Sequence, residues 1–153
     1  KVAAAVLKYA MLKSDVTQDV AFDMKESVSF SGDSGPYLLY IVARIKSILN
    51  KVEEVEKVED YIPEIIDLVE KQVLMRLALY PEVTKRAVES KDPSKITQYL
   101  FDLAQDFNNF YHVCPVLKAQ KGVQYFRIKL IQSVESVMAK GLYIIGIETV
   151  DEM

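Results

Sequence analysis

Several residue types that build common active sites are scarce in this chain of 153 residues, which has one cysteine, one histidine and no tryptophan. A single cysteine excludes an internal disulfide and a Cys-x-x-Cys metal or redox pair. Together with the lack of a secretory signal, it predicts a reducing, cytoplasmic location. Glycine and proline number five each, which excludes collagen-like and Gly/Pro-rich low-complexity chains. No apolar run reaches the ~18 residues of a membrane-spanning helix.

The composition predicts a globular protein that needs no metal or disulfide to fold. Hydrophobic residues make up 50% and charged residues 27% of the chain, a balance typical of folded domains. A chain of this size buries about 68–70% of its unfolded surface. The chain starts with Lys1 rather than methionine, and residues 1–10 (KVAAAVLKYA) read as a helix already under way. We therefore expect a piece of a longer protein.

Helical periodicity dominates the chain from Pro36 onward. Apolar residues recur at steps of three and four, and a short helical run follows Pro81. The longer runs cover residues 36–52, about 63–80, 93–114 and about 119–144. Five helical runs joined by short links predict an all-α helical bundle.

The first 34 residues carry mixed signals. A helix is expected to end near residues 13–15, and residues 29–35 are rich in turn formers. Between them, residues 19–24 alternate polar and apolar, which is typical of a short half-buried strand. We therefore predict two parts: an irregular or single-strand segment over residues 1–34 and the bundle over residues 35–153.

Charge is distributed unevenly along the chain. Residues 51–70 hold eight acids against two lysines, whereas residues 118–140 hold five basic residues against one acid. The formal net charge of −3 therefore hides an acidic side and a basic side. The acidic side supports one alternative function, a helical protein-interaction domain that binds no RNA.

The chain offers little for catalysis. It has neither a GxxxxGK[ST] phosphate loop nor a GxGxxG motif. His112 and Cys114 would point to different faces of a helix, so an inert, buried thiol is the favoured interpretation. Asp102 and Asp106 have a spacing that an acid–base pair or a metal site could use, but no third ligand accompanies them, and a solvated face is favoured. We predict no catalytic and no metal-binding residue, which leaves a free-standing hydrolase as the least favoured function.

An aromatic and cationic cluster follows Pro36. Tyr37, Tyr40 and Arg44 lie at i, i+3 and i+7, on a helical face that is not the apolar one. Two exposed rings above a guanidinium would stack unpaired bases and hold a phosphate. The alternative is that the tyrosines pack on a neighbouring segment while Arg44 pairs with an acid, and spacing alone leaves both open.

A second cluster lies near the end of the 93–114 run. Asn108 and Tyr111 stand a helical step apart, where they could offer hydrogen bonds and a ring to a base. They could equally cap and seal the end of the helix. If the domain binds RNA, its acidic net charge predicts local contacts of modest affinity.

Several blocks of the sequence, in order, resemble arginyl-tRNA synthetases. Residues 34–45 (SGPYLLYIVARI) are similar to the GPYLQYAHAR-like segment of that family, and residues 99–111 (YLFDLAQDFNNFY) are similar to its LYDLAxxFNxFY block. The runs 127–131 (RIKLI) and 141–147 (GLYIIGI), with the terminal Met153, resemble its C-terminal end. Upstream, residues 9–15 (YAMLKSD) and 23–24 (DM) resemble the stretch that joins the catalytic core of that family to its C-terminal domain. The blocks therefore span almost the whole chain.

The resemblance implies a fold and a function. The fold would be the helical DALR domain of these class I synthetases, which binds the anticodon loop of arginine tRNA, with residues 1–34 as the junction to the catalytic domain. The longer protein would be an arginine–tRNA ligase that uses ATP and magnesium. This piece lacks the HIGH-like and KMSK-like signatures, so it would need no cofactor and would not aminoacylate alone. No membrane or DNA partner is expected.

The resemblance also implies particular tRNA contacts. Those carried over by position are Tyr37, Tyr40, Arg44, Tyr111 and Met153. Three positions depart from the family pattern. Leu39 stands where glutamine is common and Val42 where histidine is frequent, which removes polar reach, and Glu152 replaces the usual arginine, which predicts a weaker C-terminal contact.

Overall fold

The computed structural model describes residues 1–20, 22–52, 61, 63–64 and 66–151. Within these residues the chain forms seven helices and no strand, which confirms the predicted all-α class. The helices are α1 (Val2–Leu12), α2 (Met24–Ser27), α3 (Gly35–Asn50), α4 (Leu68–Ala78), α5 (Tyr80–Ser90), α6 (Ser94–Val113) and α7 (Lys121–Ile144). None of the described helices is both long enough and apolar enough to span a membrane.

The short strand predicted at residues 19–24 is wrong. The described part of this stretch is irregular, and the chain enters the one-turn helix α2 at Met24. The carboxylate of Asp23 accepts a hydrogen bond from the backbone N–H of Glu26 at 3.1 Å. This N-cap stabilises a helical turn, and within the described residues no neighbouring strand offers the hydrogen bonds that a strand would need. The described residues of the 1–34 segment form the helices α1 and α2 with irregular chain between and after them, so neither a strand nor a wholly irregular segment is correct.

Helix α3 lies at the centre of the bundle and packs against α1, α6 and α7. The side chains at its contacts with α6 and α7 are fully buried and apolar: Leu38, Ile41, Ile45, Phe107, Phe110, Ile131 and Met138. The helix begins where the hydroxyl of Ser34 accepts the N–H of Tyr37 at 3.2 Å, with proline in the first turn. At Gly35 a Cβ atom would overlap the carbonyl of Ala5, so glycine permits the close approach of α1.

Helix α4 begins later than its apolar periodicity predicts, at Leu68 rather than near residue 63. Asp67 and Glu70 form a capping box that fixes this start. The side chain of Glu70 is buried, and its Oε1 accepts a hydrogen bond from Nε of Arg127 at 2.6 Å. Asp67 and Glu70 belong to the predicted acidic face at residues 51–70, but both carboxylates are bound within the fold. Residues 53–60 of that face lie outside the described residues.

Candidate nucleic-acid interface

Arg44 projects from α3 toward α6, where two neutral groups hold its guanidinium. Its Nη1 donates a hydrogen bond to Oδ1 of Asn108 at 2.8 Å. Its Cζ lies 4.9 Å from the ring centroid of Tyr111, which is a cation–π distance. The structure therefore joins Arg44 to two predicted site residues, Asn108 and Tyr111, that lie 64 positions or more along the chain from it. Arg44 contacts neighbouring side chains, whereas the stacking interpretation predicts that it is open to a ligand. Among the described residues it pairs with no acid, whereas the packing alternative predicts such a pair.

Tyr111 provides a rigid floor for this arginine. Its ring stacks on that of Phe107 at a centroid distance of 6.1 Å and an interplanar angle of 22°. Phe107 is fully buried and itself packs on Phe110. The ring is thus anchored to the core on one side and half-exposed on the other, so its position is set before any ligand arrives.

The two tyrosines of α3 differ in environment. Tyr40 is 39% exposed, as the sequence predicts for a stacking ring. Tyr37 is half-buried and packs edge-on against Phe101 at 5.9 Å, and this burial raises the pKa of its hydroxyl. The prediction that both rings are exposed is therefore wrong for Tyr37, because α6 lies against the first turns of α3 and covers that ring.

A surface cavity of about 470 Å³ lies beside Tyr40 and Arg44, and the last two turns of α3 form its wall. It is lined by Tyr40, Ala43, Arg44, Ser47, Asn50, Lys51 and Asp151. Asp151 is bound by Lys46, whose Nζ lies 2.6 Å from its Oδ1, and this contact holds the pKa of the Asp151 carboxyl below its ordinary value. The cavity therefore contains a free ring, two cations and one carboxylate that is already paired.

The sequence analysis named no site residue on this helix beyond Arg44. The same steps of three and four residues nevertheless continue from Arg44 to Ser47 and Lys51. The signal was therefore present in the helical spacing. The predicted contact Met153 lies outside the described residues, as does Glu152.

The carboxylate pair considered for catalysis has a structural role. Nε of Arg76 lies 2.7 Å from Oδ2 of Asp106, and its Nη1 lies 3.1 Å from Oδ2 of Asp102. Gln72 donates a further hydrogen bond to Asp106 at 2.8 Å. The predicted solvated face is thus wrong for Asp106, which is 8% exposed, because α4 packs on α6 and supplies the arginine.

Among the described residues, no hydrogen bond joins His112 to Cys114. Cys114 is buried and His112 is exposed, and burial raises the pKa of the thiol, which makes it a poor nucleophile. Over the described part of the chain, no three His, Cys, Asp or Glu side chains are grouped to hold a metal ion. The chemistry that the α3–α6 surface offers is therefore recognition by a ring, amides and cations.

Comparisons with known proteins point to one family. A family model described as the DALR anticodon binding domain matches residues 38–153. The arginine–tRNA ligase of Bacteroides fragilis is 36% identical over 99% of this chain, which covers 26% of that protein. The arginine–tRNA ligase of Pyrobaculum arsenaticum is also 36% identical, over 100% of the chain and 24% of its own length.

A solved structure shows the same fold. The arginyl-tRNA synthetase of Thermus thermophilus superimposes with a TM-score of 0.90 at 32% identity, over 99% of this chain and 26% of that chain. The chain thus spans about a quarter of the length of the proteins that it matches. The irregular N-terminal segment is part of the similarity, since the matches extend over nearly all of the chain.

Proposed function

This chain belongs to the DALR anticodon-binding domain family, and we propose that it binds the anticodon loop of arginine tRNA as part of a longer arginine–tRNA ligase. The domain positions the tRNA, while ATP-dependent attachment of arginine, with magnesium, takes place in a separate catalytic domain. The proposed division of this chain is a junction over residues 1–34 and the RNA-binding bundle over residues 35–153.

The observation that carries this proposal is the state of Arg44. Its guanidinium is fixed by Asn108 and Tyr111, yet no carboxylate in the described residues neutralises it. A fixed and uncompensated cation beside an open cavity attracts a negatively charged ligand. With the ring of Tyr40 on the cavity wall and the ring of Tyr111 beneath the guanidinium, that ligand is best matched by a nucleotide with an unstacked base and its phosphate.

The recognition follows from the chemistry of a loop. Anticodon bases are unpaired, so their faces can stack on aromatic rings and their edges can form hydrogen bonds. Asn108 acts here chiefly as a positioning residue, because its Oδ1 is already bound to Arg44, while its amide N–H groups have no hydrogen-bond partner among the described residues. A tRNA held in this way has its acceptor end oriented toward a distant catalytic site. The reaction at that end is then effectively unimolecular rather than bimolecular.

The junction segment carries a feature that fits its proposed role. Residues 1–34 expose large apolar side chains, among them Leu7 and Met11 of α1 and Val28 and Phe30 beyond α2. These exposed apolar side chains supply the surface through which such a junction would meet another domain. We propose that they contact the catalytic domain of the longer protein.

The test uses this chain and a hairpin RNA that carries the anticodon stem and loop of an arginine tRNA. Arg44→Ala and Tyr111→Ala should each weaken binding by about 1–3 kcal/mol, because each removes a cation or a stacking ring from the site. The matched controls are Lys140→Ala and Tyr143→Ala, which remove a cation and a ring from the exposed side of α7.

Two results of these binding measurements would contradict the proposal. If the wild-type chain does not bind the hairpin, or if the control variants lose as much affinity as the α3–α6 variants, the proposed site is wrong. Dissociation constants from fluorescence anisotropy, with circular dichroism to show that each variant is folded, decide between these results.

A further inference from the structure

We infer that the cavity below Arg44 holds one extruded nucleotide, with Ser47 and Asn50 contacting its base and Lys51 its phosphate. The inference rests on the proposed RNA binding and extends it by three residues. All three lie on the last turns of α3, one and two helical turns beyond Arg44.

The polar groups of this cavity are free to bind a ligand. Ser47, Asn50 and Lys51 are exposed, and within the described residues their side chains have no hydrogen-bond or ion-pair partner. Elsewhere on the same helix, Arg44 and Lys46 are both engaged. A hydroxyl, an amide and an ammonium left open along one wall supply donors and acceptors for a base edge and a donor for a phosphate.

The size and shape of the cavity fit one nucleotide. Its volume of about 470 Å³ lies inside the roughly 300–1,000 Å³ range of small-ligand sites. The exposed ring of Tyr40 borders it, so a base that enters can stack there while its edge points along the helix. A backbone phosphate then falls near the cations at the two ends of the wall, Arg44 and Lys51.

The charge of the cavity favours a nucleotide over a neutral ligand. Arg44 and Lys51 carry two positive charges, and the carboxylate of Asp151 carries one negative charge that Lys46 offsets at 2.6 Å. Counted over the described residues, the site is therefore positive although the chain has a net charge of −3. A local positive potential on an acidic domain confines RNA contact to this patch.

The experiment measures binding of the same hairpin RNA to this chain as a function of salt and loop sequence. Asn50→Ala should weaken affinity about threefold to tenfold through the lost base contact and should leave the salt dependence unchanged. Lys51→Ala should lower the slope of log affinity against log salt by ~0.7 for one phosphate of a single strand. Gln132→Ala and Lys140→Ala, exposed on α7, are the matched controls and should behave as the wild type.

Loop substitutions locate the nucleotide. Changing each loop base in turn should reveal one position at which the wild type discriminates between bases and Asn50→Ala does not. Ser47→Ala should reduce discrimination at that same position by a smaller factor.

Two results would overturn the inference, and they differ in what they say about the domain. If Arg44→Ala and Tyr111→Ala lose affinity while Asn50→Ala and Lys51→Ala match the controls, the cavity holds no nucleotide and the proposed function stands. If all of these variants bind as the wild type does, the proposed function fails, and the inference fails with it.

Discussion

Two arginines reach helix α6 from different neighbours, and their surroundings contrast. Arg76 of α4 is bound by two carboxylates, Asp102 and Asp106. Arg44 of α3 is bound by an amide and a ring, Asn108 and Tyr111. Both guanidiniums are held in place on the same helix, but only the second keeps its positive charge uncompensated in the part of the chain that the structure describes.

The cavities beside the two arginines repeat the contrast. The one near Arg76 is the larger, at about 530 Å³, yet each cation on its wall has a carboxylate partner: Lys13 with Glu26, Arg76 with Asp102 and Asp106, Arg86 with Glu82, and Lys95 with Asp92. The smaller cavity near Arg44 has two cations, Arg44 and Lys51, that no carboxylate among the described residues compensates. Charge compensation, rather than cavity size, therefore distinguishes this structural cluster from the proposed ligand site.

The largest expected effect breaks the structural cluster. Arg76→Ala leaves the carboxylate of Asp106 buried without its cation, and we expect it to lower the free energy of unfolding by about 3 kcal/mol. Hairpin RNA affinity of the folded fraction should not change. Urea denaturation followed by circular dichroism measures the free energy of unfolding. A smaller loss for Arg76→Ala than for Arg86→Ala, which breaks an exposed ion pair, would contradict the structural role of Arg76.

A second variant converts the ligand site into a copy of the structural one. Asn108→Asp places a carboxylate against Arg44, where it should compensate the charge and weaken hairpin RNA binding by about 1.4 kcal/mol, or tenfold. Asn109→Asp adds the same charge at the neighbouring exposed position, away from the hydrogen bond between Asn108 and Arg44. Equal losses in the two variants would mean that net charge alone matters, and the contrast between the arginines would lose its basis.

The smallest effect concerns pH. Burial raises the pKa of Tyr99, whose hydroxyl donates to the carbonyl of Arg76 at 2.9 Å, from its ordinary 10.0 to about 12. The folded state therefore retains a proton that the unfolded state releases, and stability falls as pH rises between these two values. At pH ~11 this loss should be about 1 kcal/mol smaller in Tyr99→Phe than in the wild type, each taken relative to neutral pH. Parallel stability–pH curves for the two proteins would contradict it.

Much of the fold follows from local sequence signals. Apolar steps of three and four residues predict the long helices, and the cap at Ser34, with proline after it, predicts where α3 begins. The signals failed where a side chain competes with periodicity. Asp67 delays the start of α4, and Asp23 starts a helical turn in place of a strand.

The site could be predicted only in part, because its geometry depends on tertiary contacts. Helical spacing identified Arg44 and Tyr111 separately. No local sequence pattern shows that α3 and α6 bring Cζ of Arg44 to 4.9 Å from the ring centroid of Tyr111. The same crossing buries half of Tyr37 against Phe101 and leaves Tyr40 open. Likewise, the partner of Asp102 and Asp106 comes from α4, so their helical spacing alone could not reveal an internal ion pair.

The most direct test of the uncompensated charge is the salt dependence of hairpin RNA binding in Arg44→Gln, which keeps a polar side chain and removes the cation. We expect the slope of log affinity against log salt to fall by ~0.7 relative to the wild type, the value for one lost contact to single-strand phosphate. Lys140→Gln on α7 should leave the slope unchanged. Identical slopes for the wild type and Arg44→Gln would contradict the proposal that this arginine is an uncompensated cation of the interface.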